Sequence, residues 1–229
     1  MFDLPHLVIF DLDNTLYDFQ VANNSGELAL YDFLSLNLRL PKEEVILLMK
    51  ESRSRVKNRL GRTASSHSRL LYIRDFLEEN HVYTHSTFAL ECEQVFWRAY
   101  LEKTKLFNGA QEFISFLRLS KTKLVLVTDL STQIQLRKLA WLGLDKCFEL
   151  IITSEESGGD KETGRPENLL RKYVTPEGET WSIGDMDWDH IFPTESKFFK
   201  KMPSGGVTEK AHNRIEFSSF SELLAKIGL

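Results

Sequence analysis

Leu7-Val8-Ile9-Phe10-Asp11-Leu12-Asp13-Asn14-Thr15-Leu16 is the stretch from which the architecture follows. Four apolar residues run without polar alternation, the pattern of a strand covered on both faces, as in a parallel sheet between two layers of helix. Two carboxylates and a hydroxyl come directly after. In an open parallel sheet, ligands bind beyond the carboxyl ends of the strands, so Asp11, Asp13 and Thr15 sit where chemistry is expected.

Three further runs read as buried strands, Lys123 to Val127, Glu149 to Thr153 and Thr180 to Ile183, and the first two of these share this character. Helical stretches separate them. Gly109 to Leu119 precedes the second run, Ser131 to Leu142 follows it with Gly143 as its stop, and Glu167 to Tyr173 precedes the fourth. Strand, helix, strand in this rhythm predicts an α/β protein with a doubly wound parallel sheet.

Residues 19–105 read differently. Pro41 before Lys42, Glu43 and Glu44 marks a helix start. Phe88, Cys92, Val95, Phe96 and Ala99 fall on one helical face, and His67 to Glu79 repeats the pattern. About four helices are expected here, inserted between the first strand and the rest of a core made of residues 1–18 and 106–229. Residues 187–213 are polar, with Pro193, Pro203 and Gly205-Gly206, and offer no recognisable strand. Phe220 to Ile227 reads as a closing helix.

Composition narrows the function classes. The 229 residues carry 29 basic and 33 acidic side chains, a net charge of −4, so no global basic field exists to hold nucleic acid. Cys92 and Cys147 have no partner pattern of a disulfide framework or zinc site. The N-terminus lacks a basic leader, and no run approaches the roughly 20 apolar residues of a membrane span. The expected partner is therefore a small molecule, without nucleic acid or membrane, and the expected location is the cytoplasm. Oligomeric state leaves no mark in the sequence.

The residues after each run set the chemistry. Beyond the second run come Thr128 and Asp129, beyond the third Lys161, beyond the fourth Asp185 and Asp189. Carboxylates gathered at one edge repel each other, and a hard cation relieves that. An all-oxygen donor set suits Mg²⁺. Magnesium and a lysine together would neutralise a phosphate. Taken singly, Asp11 and Asp13 would fit an ordinary turn, and Thr128 a helix cap.

With these residues in place, the chain resembles the haloacid dehalogenase superfamily. FDLDNTL (Phe10 to Leu16) matches its first motif, Thr128 at a strand end its second, SEESGGDK (Ser154 to Lys161) its third and IGDMDWD (Ile183 to Asp189) its fourth. The resemblance implies a Rossmann-like core with a helical cap domain, here residues 19–105. It implies a phosphatase in which Asp11 is the nucleophile, Asp13 the acid/base and Lys161 the stabilising cation. Thr15 would orient Asp13 and its loop, and Thr128 would bind a phosphoryl oxygen. Magnesium would be held by Asp11, Asp185 and the Asp13 carbonyl, with Asp189 supporting that shell. The substrate class would be a sugar phosphate, sugar-acid phosphate or nucleoside monophosphate.

Two departures stand out. Asp129 occupies a place commonly held by asparagine or a small residue, where its charge would weaken phosphate binding or meet a cationic part of the substrate. Four residues separate Lys161 from Pro166, which leaves Arg165 as a second candidate for the lysine's work. A basic run from Arg53 to Arg74 reads either as a solvated helix face or as a substrate-reading turn around Arg62, His67 and Arg69. A dehalogenase would need neither Asp13 nor a metal carboxylate. A phosphomutase would share every motif, and a non-catalytic binding module would usually have lost one.

Overall fold

The computed structural model describes residues 4–82, 86–174 and 178–227. The strands are β1 (Leu7–Phe10), β2 (Lys123–Thr128), β3 (Leu150–Thr153), β4 (Thr180–Gly184), β5 (Lys197–Lys201), β6 (Thr208–Ala211) and β7 (Arg214–Phe217). They form one sheet in the order β3-β2-β1-β4-β5-β7-β6. Every neighbouring pair is parallel except the β6–β7 hairpin. β1 lies between β2 and β4, which explains why all four of its residues are apolar and buried.

The chain divides into two compact units, Met1–Asp18 with Lys105–Leu229, and Phe19–Thr104. The second unit is helical: α1 (Phe19–Leu38), α2 (Lys42–Leu60), α3 (Arg69–Glu79) and α4 (Ser86–Lys103), with a 3₁₀ turn at Ala64–His67. Gly26 lets α1 approach α4, since a Cβ there would meet the Phe96 ring at 2.8 Å. Much of the basic run is used inside this unit. Arg55 meets Asp75 at 2.9 Å, Arg74 meets Glu78 at 2.7 Å, and buried Arg69 donates to Asn23 Oδ1 at 2.7 Å.

The first unit carries α5 (Ala110–Leu119), α6 (Thr132–Trp141), α7 (Ser154–Ser157), α8 (Arg165–Leu170) and α9 (Phe220–Ile227). β1 feeds two cores by alternation. Leu7 and Ile9 join Val125, Val127, Ile152 and Leu170 on one face. Phe10 meets Phe113 of α5 edge-on at 6.2 Å on the other, and Phe113 packs on Phe220 of α9 at 5.3 Å. No helix among the described residues is long and apolar enough to cross a membrane.

The segment 187–213 corrects the sequence reading, because it contains β5 and β6. β5 is Lys-Phe-Phe-Lys-Lys, too short and too charged to register as an apolar run. Its Lys201 is nonetheless buried, with the ammonium 4.5 Å from the Phe107 ring centre and donating to the Met202 carbonyl at 3.0 Å. β6 is an edge strand exposed along its whole length, so no burial pattern constrains its side chains.

Candidate active site

The β1–β4 ladder continues one residue past Phe10. The Asp11 N–H donates to the Ile183 carbonyl at 2.8 Å, which fixes Asp11 at the sheet edge with its residue 5% exposed. Its carboxylate accepts from Thr15 Oγ1 at 2.9 Å on Oδ2 and from Lys161 Nζ at 2.5 Å on Oδ1. Thr15, expected to orient Asp13 and its loop, has its hydroxyl bonded to Asp11 at the start of that loop. The chain then turns through Asn14, which takes a left-handed φ of 61°, a conformation asparagine tolerates better than most residues.

Asp13 faces a different set of donors. Lys138 Nζ sits side-on to its carboxylate, 2.8 Å from both oxygens, and the Tyr17 hydroxyl donates to Oδ1 at 2.5 Å. Lys138 comes from the inner face of α6. Gln135, one turn earlier, donates from Nε2 to Thr128 Oγ1 at 2.8 Å and to the Asp129 carbonyl at 2.5 Å. None of these three residues was singled out from the sequence. The reason is that α6 departs from the usual pattern: Gln135 and Lys138 are fully buried beside Leu139, whereas Leu136 and Trp141 are about half exposed. Polar residues at an inward i, i+3 spacing were the available signal.

Lys161 opens a 3₁₀ turn after α7. Its main-chain N–H donates to Asp129 Oδ1 at 2.9 Å, and its ammonium forms a second ion pair with Asp189 Oδ1. Asp129 is therefore engaged with the Lys161 loop. Arg165 is exposed and donates to the Gly158 carbonyl at 2.6 Å, so of the two candidate cations it is Lys161 that reaches Asp11. Asp189 is anchored at its other oxygen by the Met186 N–H at 2.8 Å. Arg62 belongs to the helical unit, exposed and next to Gly61 at the end of α2.

Electrostatics follow from this crowding. Burial pushes Asp11 well above the usual carboxylate range. Asp189, Asp185 and Asp13 add to that, and Lys161 opposes it. Burial, then Asp189, pushes Asp185 up to about 6 against the pull of Lys161 and a hydrogen bond from Asn14. Burial works against the Lys161 charge, but Asp11, Asp189 and Asp129 more than offset it and hold that ammonium well above its ordinary value.

The donor set fits a hard divalent cation. Asp11, Asp185 and Asp189 each offer a carboxylate oxygen, and the three atoms lie within 4.8 Å of one another. One ammonium cannot balance them, and oxygen donors favour magnesium over softer metals. Asp11 and Asp189 share the Lys161 ammonium, and the other oxygen of each is bonded, by Thr15 Oγ1 and by the Met186 N–H.

Residues 8–192 match a family model described as haloacid dehalogenase-like hydrolase. A ribulose-1,5-bisphosphate 5-phosphatase from Halopiger xanaduensis is 36% identical over 180 residues, 78% of this chain and 75% of that protein. Among solved structures, a magnesium-bound HAD-hydrolase, YfnB from Bacillus subtilis, aligns with a TM-score of 0.64 at 20% identity, covering 99% of this chain and 100% of that one. A 2-haloacid dehalogenase from Pseudomonas syringae pv. Tomato DC3000 aligns with a TM-score of 0.67 at 22% identity, over 97% and 99%. At these identities the structural likeness speaks for the fold alone.

Proposed function

Because the chain belongs to the haloacid dehalogenase-like hydrolases, we propose that it is a phosphatase that removes a phosphoryl group from a small phosphorylated sugar by way of an aspartyl phosphate. The observation that carries this reading is Asp13. A halide leaves without a proton, but an alkoxide needs one, and here a carboxylate two residues from the buried Asp11 is held by Lys138 and Tyr17.

Asp11 attacks phosphorus through a carboxylate oxygen. The P–O bond to the sugar breaks, and its electron pair stays on the sugar oxygen, which takes a proton from Asp13. Water then attacks the aspartyl phosphate and gives a proton to Asp13. The P–O bond to Asp11 breaks, which restores the Asp11 carboxylate and the Asp13 acid and frees phosphate. Thr128, steadied by Gln135, donates to a phosphoryl oxygen. Lys161 favours the ionised form of Asp11 against its burial and orients it, and Asp129 braces the Lys161 loop. Magnesium, held by Asp11, Asp185 and the Asp13 carbonyl with Asp189 behind them, would supply positive charge to the phosphoryl oxygens.

The relative named for ribulose 1,5-bisphosphate supports a sugar phosphate as substrate ahead of a nucleotide. A cytoplasmic location is in keeping with such metabolites and with two free, buried cysteines. The test is phosphate release with magnesium from a panel of sugar phosphates, sugar-acid phosphates, nucleoside monophosphates and ribulose 1,5-bisphosphate. Activity that Asp11→Asn abolishes supports the reading. Equal inactivity of wild type and Asp11→Asn across the panel, or magnesium-independent halide release, would sink it. A requirement for a bisphosphate activator would convert it to a phosphomutase.

A further inference from the structure

Lys138 is a fully buried lysine on a helix face where an α/β core usually places an aliphatic side chain. Burying an ammonium is unfavourable unless it is paired and hydrogen-bonded. The pairing here is specific. Lys138 Nζ lies 2.8 Å from each Asp13 oxygen, the Tyr17 hydroxyl closes on Oδ1 at 2.5 Å, and the ammonium stands 5.8 Å from the Tyr17 ring centre. Tyr17 is itself fixed. It is fully buried, and backbone bridges join it to Asp13 and to Leu106.

We propose that Lys138 and Tyr17 are positioning residues that clamp the Asp13 carboxylate in the orientation from which it exchanges protons, and that α6 is the element setting that orientation. The proposal rests on the reading of Asp13 as acid/base. Three observations support it beyond simple charge satisfaction. The ammonium is equidistant from the two oxygens, which holds both of them toward α6. The second donor approaches one of the same oxygens from a separate segment of chain, so the carboxylate cannot rotate without losing bonds. The same helix carries Gln135, which ties down Thr128 and the Asp129 carbonyl. A single rigid helix thereby couples the proton-transfer group to the proposed phosphate-binding hydroxyl. Positioning at this precision governs proton transfer, because a general acid must lie within hydrogen-bond reach of the atom it serves.

The leaving group separates this role from a merely structural one. A sugar oxygen needs a proton to depart, whereas p-nitrophenolate does not. The second step needs Asp13 as base with either substrate. Lys138→Met in the full-length, magnesium-loaded protein should lose about 10²-fold in kcat on a sugar phosphate with KM little changed, within the range attributed to general acid–base catalysis. On p-nitrophenyl phosphate it should form the phosphoenzyme at near wild-type rate and accumulate it. Lys138→Arg should recover part of the sugar-phosphate rate. Tyr17→Phe, which removes a donor and no charge, should show the same pattern more weakly, and it stands in for Lys138→Met if that variant does not melt cooperatively. Asp13→Asn is the control. If Asp13→Asn keeps wild-type activity, the acid/base reading fails and the clamp with it. If Asp13→Asn is inactive while the folded clamp variant has wild-type kcat, the clamp alone is overturned. Equal losses on both substrates without phosphoenzyme accumulation would also overturn it, in favour of a packing role.

Discussion

The main-chain N–H of Lys161 donates to Asp129 Oδ1 at 2.9 Å, so the residue that departs from the common motif pattern holds in place the loop that delivers the active-site ammonium. Asp129→Ala should release that loop. Losing a hydrogen bond to a charged group costs about 2 kcal/mol, which in a chain of this size lowers Tm by about 4–8 °C. Activity should fall about tenfold as Lys161 loses register, by analogy with other orienting contacts. Asp129→Asn keeps an oxygen acceptor and should stay within a few-fold of wild type. Melting curves and kcat for the two variants check this. Equal losses in both would show that the charge, not the hydrogen bond, matters.

Gly184 and Asp189 make a second prediction. A Cβ on Gly184 would clash with the Asp189 side chain, closer than non-bonded atoms can pack. Gly184→Ala must therefore displace Asp189, and with it the anchor at Met186 and the ion pair with Lys161. Overpacking of this kind costs about 1–3 kcal/mol. The larger effect should fall on catalysis and on the magnesium concentration needed for it. A variant with wild-type Tm and magnesium dependence would contradict the geometry.

How much of this was legible beforehand depends on what each residue faces. β1, β2 and β3 were readable because they are rich in Val, Ile and Leu with little alternation, while β4 is buried throughout but interleaves Trp181 and Ile183 with Thr180 and Ser182. β5 was not, because Phe198 and Phe199 are flanked by lysines, one of them buried against Phe107. β6 was not, because all four of its residues are exposed. Asp11, Thr128, Lys161 and Asp185 could be placed at one edge from their positions after strands. Lys138 could not be connected to Asp13, because a contact across 125 residues of sequence leaves no local periodicity, and α6 buries Gln135 and Lys138 while Leu136 and Trp141 are exposed.

Crowded carboxylates make metal-free stability fall with rising pH. The folded-state value of Asp185 is pushed up to about 6 by burial and Asp189, above its ordinary 3.8, and Asp11 moves in the same direction. The folded protein thus binds these protons more tightly than the unfolded chain does. Stability contributed by protonated Asp185 is present below about pH 4 and lost as pH rises through about 6. A cation reverses the sign, since it favours the ionised carboxylates. Thermal melts in chelator should therefore weaken between about pH 4 and pH 6, while the Tm gain from millimolar magnesium should grow from about pH 5 to pH 7.5. A magnesium shift that is flat with pH would argue against a carboxylate site.

Lys161 lies between two buried carboxylates, with its side chain 4% exposed and those of Asp11 and Asp189 5% and 2%. Lys161→Met leaves both without their ammonium. Breaking a buried pair from one side costs about 3–5 kcal/mol, more than the net worth of the pair, because the uncompensated charge remains. Adding Asp189→Asn removes one of the stranded charges, so the double variant should be more stable than the single changes summed, by an interaction energy of about 0.5–3 kcal/mol. Catalysis should not follow stability. Asp11 still lacks the group that donates to its Oδ1, so both the single and the double variant should lose about 10²–10³-fold in kcat, the scale of a lost charge-stabilising donor. Denaturant melts of the four proteins and kcat on the best substrate decide the matter. Additive stabilities would show that Asp189 is not coupled to the lysine, and a double variant that regains activity along with stability would show that Lys161 serves the fold rather than the reaction.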